Sequence, residues 1–226
     1  MTKGSVRSMI EDVGLVPSVR LASVDDARFA ADAVIAAGIP VLEITMTTPE
    51  ALHVIEELAA SHPEVAVGAG TVLGAAAARD CINAGARFVT SPGVDVAVIA
   101  AAVRHRVLVF PGVFTPSDVI SAVQADADFV KLFPCAPWDG ASYLKSLRAP
   151  FPSVQFVAAG GVTLQTLGEF FRAGAFAVGV GSDLIPMKAV HDRDRRWITE
   201  LARRFLAAVQ AARPPRDAHD DMLDRR

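Results

Sequence analysis

Three charged residues stand inside runs that otherwise ask to be buried: Arg20 in GLVPSVRL, Glu43 in VLEITM and Lys131 in FVKLFP. An ammonium or carboxylate in such a run is costly to desolvate, so each needs a reason to be there. A lysine in an apolar setting loses basicity, because burial penalises the ammonium, and the neutral amine attacks carbonyl carbon. Lys131 is therefore a candidate Schiff-base nucleophile. A carboxylate within hydrogen-bond reach of the same atoms can move protons, and Glu43 is the one acidic residue in any of these runs. The alternative is a buried Glu43–Lys131 ion pair, a weak device for stability. Arg20, at the end of its run, is either an anion binder or a bridge to a helix carboxylate.

A second signal comes from VAAGGVT and VGVGSDL, which both end in small residues. Backbone N–H groups of Gly160, Gly161, Gly181 and Ser182 can approach an anion closely there, helped by the dipole of a following helix. A nucleophilic lysine, one acid/base and a phosphate cradle together suggest a phosphosugar bearing a carbonyl.

These residues need a frame that brings them together. Short apolar runs begin near residues 14, 41, 65, 88, 107, 129, 154 and 177, and the intervals carry helical patterns such as SVDDARFAADAVIAAG and TLQTLGEFFRAG. Eight strand-then-helix units predict a parallel sheet covered by helices, closed as a (β/α)8 barrel with its site at the C-terminal strand ends. Two-residue alternation then turns Val41, Glu43 and Thr45 to one face, and Phe129, Lys131 and Phe133 to one face. The competing architecture is an open Rossmann-like sheet. Against it, the GAG of VGAGTVL lacks the third glycine of a dinucleotide fingerprint, and no acidic residue ends the next strand. A single barrel domain is expected over residues 1–211, followed by a polar, mobile tail at 212–226, ARPPRDAHDDMLDRR being its sequence context.

Bulk composition narrows the partner class. With 226 residues, 52% of them hydrophobic, and a formal charge of −3, the chain can bury one large core but has no basic face for nucleic acid. No run is long and apolar enough to span a membrane before a charge, Gly or Pro interrupts it, and MTKGSVRSMIEDV lacks a signal-type apolar stretch. A soluble cytoplasmic protein is the expectation. Cys81 and Cys135 have no metal-ligand spacing and are expected to be reduced.

In order along about residues 10 to 210, LEITMTTP, VGAGTV, FVTSPG, PGVFTP, FVKLFP, GASYLKSLRAPFP, AAGGV and VGVGSDL resemble the class I aldolases acting on 2-keto-3-deoxy-6-phosphogluconate and its relatives, including 4-hydroxy-2-oxoglutarate aldolase. The resemblance implies that Lys131 is the Schiff-base lysine and Glu43 the proton-moving carboxylate. It also implies that Thr71 holds the pyruvate portion, that Pro92 and Phe133 line the pocket, and that the glycines and Ser182 take the phosphate. Many members carry an arginine two residues after the threonine of the LE-x-T segment, where this chain has Thr47. Galactonate-type members lack that arginine and carry one in strand one, which makes Arg20 the substitute anion binder and Thr47 the residue facing the vacated place. The implied reaction cleaves 2-keto-3-deoxy-6-phosphogluconate to pyruvate and glyceraldehyde 3-phosphate, or cleaves the galactonate epimer or 4-hydroxy-2-oxoglutarate. It requires neither a metal nor an organic cofactor, and the implied assembly is a homotrimer. Two other classes fit the phosphate cradle: a phosphosugar isomerase working through an enediol, and a non-catalytic phosphosugar-binding barrel that regulates a partner.

Overall fold

Every strand in the computed structural model, which describes residues 1–135 and 139–213, lies parallel to its neighbours. The strands are β1 (Leu15–Val19), β2 (Val41–Thr45), β3 (Ala66–Gly70), β4 (Phe88–Thr90), β5 (Leu108–Phe110), β6 (Gly112–Val113), β7 (Val130–Leu132), β8 (Phe156–Ala159) and β9 (Ala177–Val180). Their spatial order is β5-β4-β3-β2-β1-β9-β8-β7-β6. The two ends of that order are halves of one strand, broken at Pro111, which has no N–H to give to a ladder. Across the break, Ser91 N–H donates to the Phe110 carbonyl at 3.3 Å on one side, and Lys131 N–H donates to the Pro111 carbonyl at 2.9 Å on the other. Residues 108–113 thus bond both neighbours and the ring closes. The eight expected strands are present, the fifth as two pieces, and the open Rossmann-like alternative is set aside.

Helices separate successive strands as the barrel requires: α2 (Val24–Ile35), α3 (Ala51–Ser61), α4 (Ala75–Asn83), α5 (Val96–Arg104), α6 (Pro116–Gln124), α7 (Gly140–Arg148) and α8 (Leu167–Arg172). Local chemistry sets their starts. Ser23 and Asp95 cap α2 and α5 by accepting backbone N–H bonds, and Thr115 with Asp118 forms a capping box ahead of Pro116 in α6. After β9 come the short α9 (Met187–His191) and α10 (Arg195–Ala212), whose buried Ile198, Ala202, Phe205 and Val209 face the body of the barrel. α1 (Lys3–Val13) precedes the first strand.

Strand alternation divides the core in two. Outward residues such as Leu42, Ile44, Val67, Val89, Val130 and Phe156 pack beneath the helices. Inward residues Val16, Val41, Ala66, Phe88, Leu108, Phe110, Phe129, Val157 and Ala177 fill the barrel, joined by Val6 and Ile10 of α1. Among them the rings of Phe88 and Phe110 stack at 5.4 Å, and Phe110 meets Phe129 edge-on at 4.7 Å. This aromatic layer makes an apolar floor for whatever lies above it.

The expected tail, 212–226, lies outside the described residues except for Ala212, the last residue of α10, and Arg213. Arg213 donates to the carbonyls of Asp12 and Phe176 at 3.1 and 3.3 Å. Among the described residues no helix is long and apolar enough to cross a membrane. Cys81 and Cys135 are both buried and unpaired, and burial pushes their thiols up to about 11 and about 12.

Candidate active site

Directly above the aromatic floor the inward side chains change character. Ser18 of β1, Glu43 of β2, Thr90 of β4 and Lys131 of β7 each sit two residues beyond an apolar inward residue, namely Val16, Val41, Phe88 and Phe129. Glu43 and Lys131 are only 7% and 8% exposed. The register of the sheet explains how they meet. Ser18 is paired with Glu43 across β1 and β2, and its hydroxyl donates to Glu43 Oε1 at 2.7 Å. Glu43 is paired with Gly68 on β3, where Gly68 and Gly70 present no inward side chain. Across that gap the carboxylate reaches β4, and the Thr90 hydroxyl donates to Oε2 at 2.8 Å. A Cβ on Gly70 would stand 2.6 Å from Oε1, so the glycine is what leaves room for the carboxylate.

Lys131 completes the row from the far wall. Its Nζ donates to Thr90 Oγ1 at 3.1 Å and lies 5.0 Å from the centre of the Phe133 ring. Among the described residues it has no direct ion pair. The Thr90 hydroxyl stands between the two charges, and the buried pair offered as an alternative does not form. Burial lowers the basicity of Lys131 most; Glu43 opposes that loss and the Arg20 guanidinium adds to it.

These groups open into one cavity of about 340 Å³. Of the residues singled out from sequence, Lys131, Glu43, Arg20, Phe133, Gly160, Gly161, Gly181 and Ser182 all line it. Gly160 takes φ +82°, and a Cβ there would press on the Phe133 ring at 2.8 Å, so glycine holds that ring beside the lysine. Arg20, just past β1, has its guanidinium 3.4 Å from Thr71 Oγ1, so Thr71 adjoins the wall through Arg20 without lining the cavity itself.

Two residues stand apart from the wall. Thr47 is exposed in the turn after β2, its hydroxyl 3.0 Å from that of Thr45, and Pro92 is exposed with its carbonyl packed against Gly112. The Gly-rich turns also differ from expectation. Thr163 and Thr166 build a separate hydrogen-bonded turn before α8 starts at Leu167, and α9 has five residues, so neither glycine pair opens directly onto a long helix. The sequence reading missed Ser18, Thr90 and Asp183, all of which line the cavity. The period-2 signal that singled out Glu43 and Lys131 also marks Ser18 and Thr90, one step beyond Val16 and Phe88. Among the described residues no group of three or more His, Cys, Asp or Glu side chains could hold a metal ion.

Comparison with known proteins points the same way. The family model for KDPG and KHG aldolase matches residues 6–201. A 2-dehydro-3-deoxy-phosphogluconate aldolase of Treponema pallidum (strain Nichols) is 32% identical over 200 residues, 88% of this chain and 95% of that protein. The 2-keto-3-deoxy-6-phosphogluconate aldolase of Zymomonas mobilis ZM4, solved with 3-phosphoglycerate, is 31% identical with a TM-score of 0.83, covering 94% of this chain and all (100%) of that one. The KDPG aldolase of Legionella pneumophila, solved with pyruvate captured as a covalent carbinolamine intermediate, is 30% identical with a TM-score of 0.81, covering 90% and 97%.

Proposed function

Because the chain belongs to the KDPG and KHG aldolase family, and is therefore an aldolase and a lyase, we propose that it cleaves 2-keto-3-deoxy-6-phosphogluconate to pyruvate and glyceraldehyde 3-phosphate through a Schiff base on Lys131. The observation that carries this is the amine itself: a lysine of depressed basicity, buried at the base of a cavity and one hydroxyl away from the Glu43 carboxylate. The isomerase and regulatory-barrel readings give way to family membership.

Lys131 attacks the C2 ketone, and loss of water from the carbinolamine leaves a cationic imine that draws electrons from the C3–C4 bond. Glu43, directly or through a water, takes the proton of the C4 hydroxyl as that bond breaks, and the aldehyde departs. The same carboxyl returns the proton to C3 of the enamine, and hydrolysis frees pyruvate and the amine. Arg20 grips the substrate carboxylate beside Thr71, Phe133 packs on the pyruvate portion, and Gly160, Gly161, Gly181 and Ser182 receive the phosphate. No step calls on a metal or cofactor.

A second substrate choice, the galactonate epimer or 4-hydroxy-2-oxoglutarate, is favoured by one observation: Thr47 bonds Thr45 in an exposed turn and leaves Arg20 as the arginine at the cavity wall. Comparing kcat/KM for the three substrates separates these choices. Incubation with pyruvate, borohydride reduction and peptide mass spectrometry tests the shared chemistry; the adduct is expected on the peptide carrying Lys131, and full turnover by Lys131→Ala would refute it. The homotrimer is likewise proposed, and its mass in solution decides it.

A further inference from the structure

We propose that the Thr90 hydroxyl is a proton relay between the nucleophile and the acid/base of this reaction, carrying a proton from Lys131 Nζ to Glu43 Oε2. The inference rests on the Schiff-base reading above and adds a residue that the sequence motifs leave without a role.

The geometry is specific. Thr90 is 1% exposed, so no bulk water competes for its hydroxyl. A threonine hydroxyl has one proton to give and lone pairs to receive. Here the proton goes to Glu43 Oε2 at 2.8 Å, and a lone pair faces the lysine, whose Nζ donates at 3.1 Å. Both distances fall in the ordinary hydrogen-bond range, and the two bonds run in one direction, from amine to hydroxyl to carboxylate. Ser18 holds the other carboxylate oxygen at 2.7 Å, which keeps Oε2 aimed at Thr90.

Transfer along this line is balanced. One N–H bond of the ammonium breaks as an O–H bond forms at Thr90, while the original threonine O–H breaks and its proton forms an O–H bond on Glu43. The result is a neutral amine and a neutral carboxylic acid, created together without solvent. The amine attacks the ketone, and one N–H proton of the adduct passes to the new alkoxide to give the carbinolamine. The Glu43 acid then protonates its hydroxyl, which leaves as water to form the cationic imine, and the carboxylate is restored for the C4 step. A direct lysine–carboxylate contact would do the first task but would hold the ammonium charged; a hydroxyl between them lets the proton pass and keeps the charges apart. The charged groups around Lys131 are Glu43 from β2, Arg20 past β1 and Asp183 past β9, while its strand neighbours are Gly112 and Val157.

The test follows the rate of pyruvate imine formation, by rapid quench into borohydride, across pH for the wild type, Thr90→Val and Thr90→Ser. The valine variant keeps the shape and removes the hydroxyl. It is expected to form the imine about 100-fold more slowly near neutral pH, the lower order of a positioned proton transfer. The acid limb of its profile moves to higher pH, because Lys131 must then release its proton without Glu43 as partner. Serine is expected to restore most of the rate. Equal rates for wild type and valine overturn the relay, and so does equal slowness of valine and serine with an unmoved acid limb, which marks a packing role. A proton inventory of imine formation in the wild type reads the same idea without substitution: two protons in flight give a curved dependence on deuterium fraction, and a flat or linear one refutes the relay. Failure of the Schiff-base reading looks different, since the wild type would then give no adduct on Lys131 at all.

Discussion

Gly70→Ala is a sharp test of how the carboxylate is placed, because it changes one hydrogen to a methyl and adds or removes no charge. The added Cβ would stand 2.6 Å from Glu43 Oε1 and 2.7 Å from its carboxyl carbon, about 0.8 Å inside the 3.4 Å at which ordinary contact begins. Gly70 is a strand residue with no positive φ, so the backbone accepts alanine and the strain falls on the side chain. A retreat of that size pulls Oε1 off Ser18 or swings Oε2 off Thr90, whose bonds are 2.7 and 2.8 Å. Misplacement of a reacting group by about 1 Å costs on the order of 100-fold in rate, or about 2.7 kcal/mol of barrier. Folding should hardly notice, since glycine in a strand is itself less favourable than alanine by roughly 0.5–1 kcal/mol. Steady-state cleavage, followed by pyruvate release, is expected to show kcat down about 100-fold. Borohydride trapping should still label Lys131 and the melting temperature should barely move. Wild-type kcat in this variant would refute the claim that Gly70 makes room for Glu43.

Other substitutions probe other links. Arg20→Gln is expected to raise KM about tenfold, the scale of one charge-assisted hydrogen bond; it should also move the acid limb of imine formation to higher pH, because the nearby cation no longer disfavours the Lys131 ammonium. Lys131→Met should raise the melting temperature at neutral pH. The folded lysine titrates below its usual 10.5, so between the two values the unfolded chain binds more protons and native stability climbs with pH; the methionine advantage should shrink as the pH approaches 10.5, and one that stays constant contradicts this. Phe88→Ala removes a fully buried ring that stacks on Phe110 and fills the space over Gly68. A loss of about 3–5 kcal/mol is expected, read as a lower urea midpoint with an unchanged slope.

The frame was legible because a parallel barrel buries both faces of every strand, so its strands read as continuous apolar runs and a charge inside one stands out. Glu43 and Lys131 were visible for that reason. Ser18 and Thr90 were not, since period-2 alternation puts them on the inward face but a lone hydroxyl in LVPSV or FVT is common in strands and does not stand out as a charge does until a register puts it beside a carboxylate. The split of the fifth strand at Pro111 was not legible either: VLVFPG reads as one apolar run, and only the ladder shows which residues bond on each side of the proline. Thr47 and Pro92 were placed by motif position alone. Their distance from the cavity wall is set by turn geometry after β2 and β4, which strand periodicity does not describe.

In the proposed mechanism, the separation of Lys131 from Glu43 is what would let the amine react. Two opposite charges in contact at low dielectric attract strongly, and the attraction would hold the lysine as an ammonium with no lone pair to offer. Two such charges far apart in an apolar barrel would each be desolvated without compensation. One buried hydroxyl between them, with Ser18 on the outer carboxylate oxygen, occupies the middle ground: every polar atom in the row has a partner, yet no contact ion pair holds the amine protonated. Arg20 at the rim pushes in the same direction by disfavouring a second cation inside. On the Schiff-base proposal, the apolar run around Lys131 is thus part of the chemistry. Val130 and Leu132 anchor β7 beneath the helices, Phe129 closes the floor and Phe133 covers the amine, and together they deny the ammonium the water that would keep it charged.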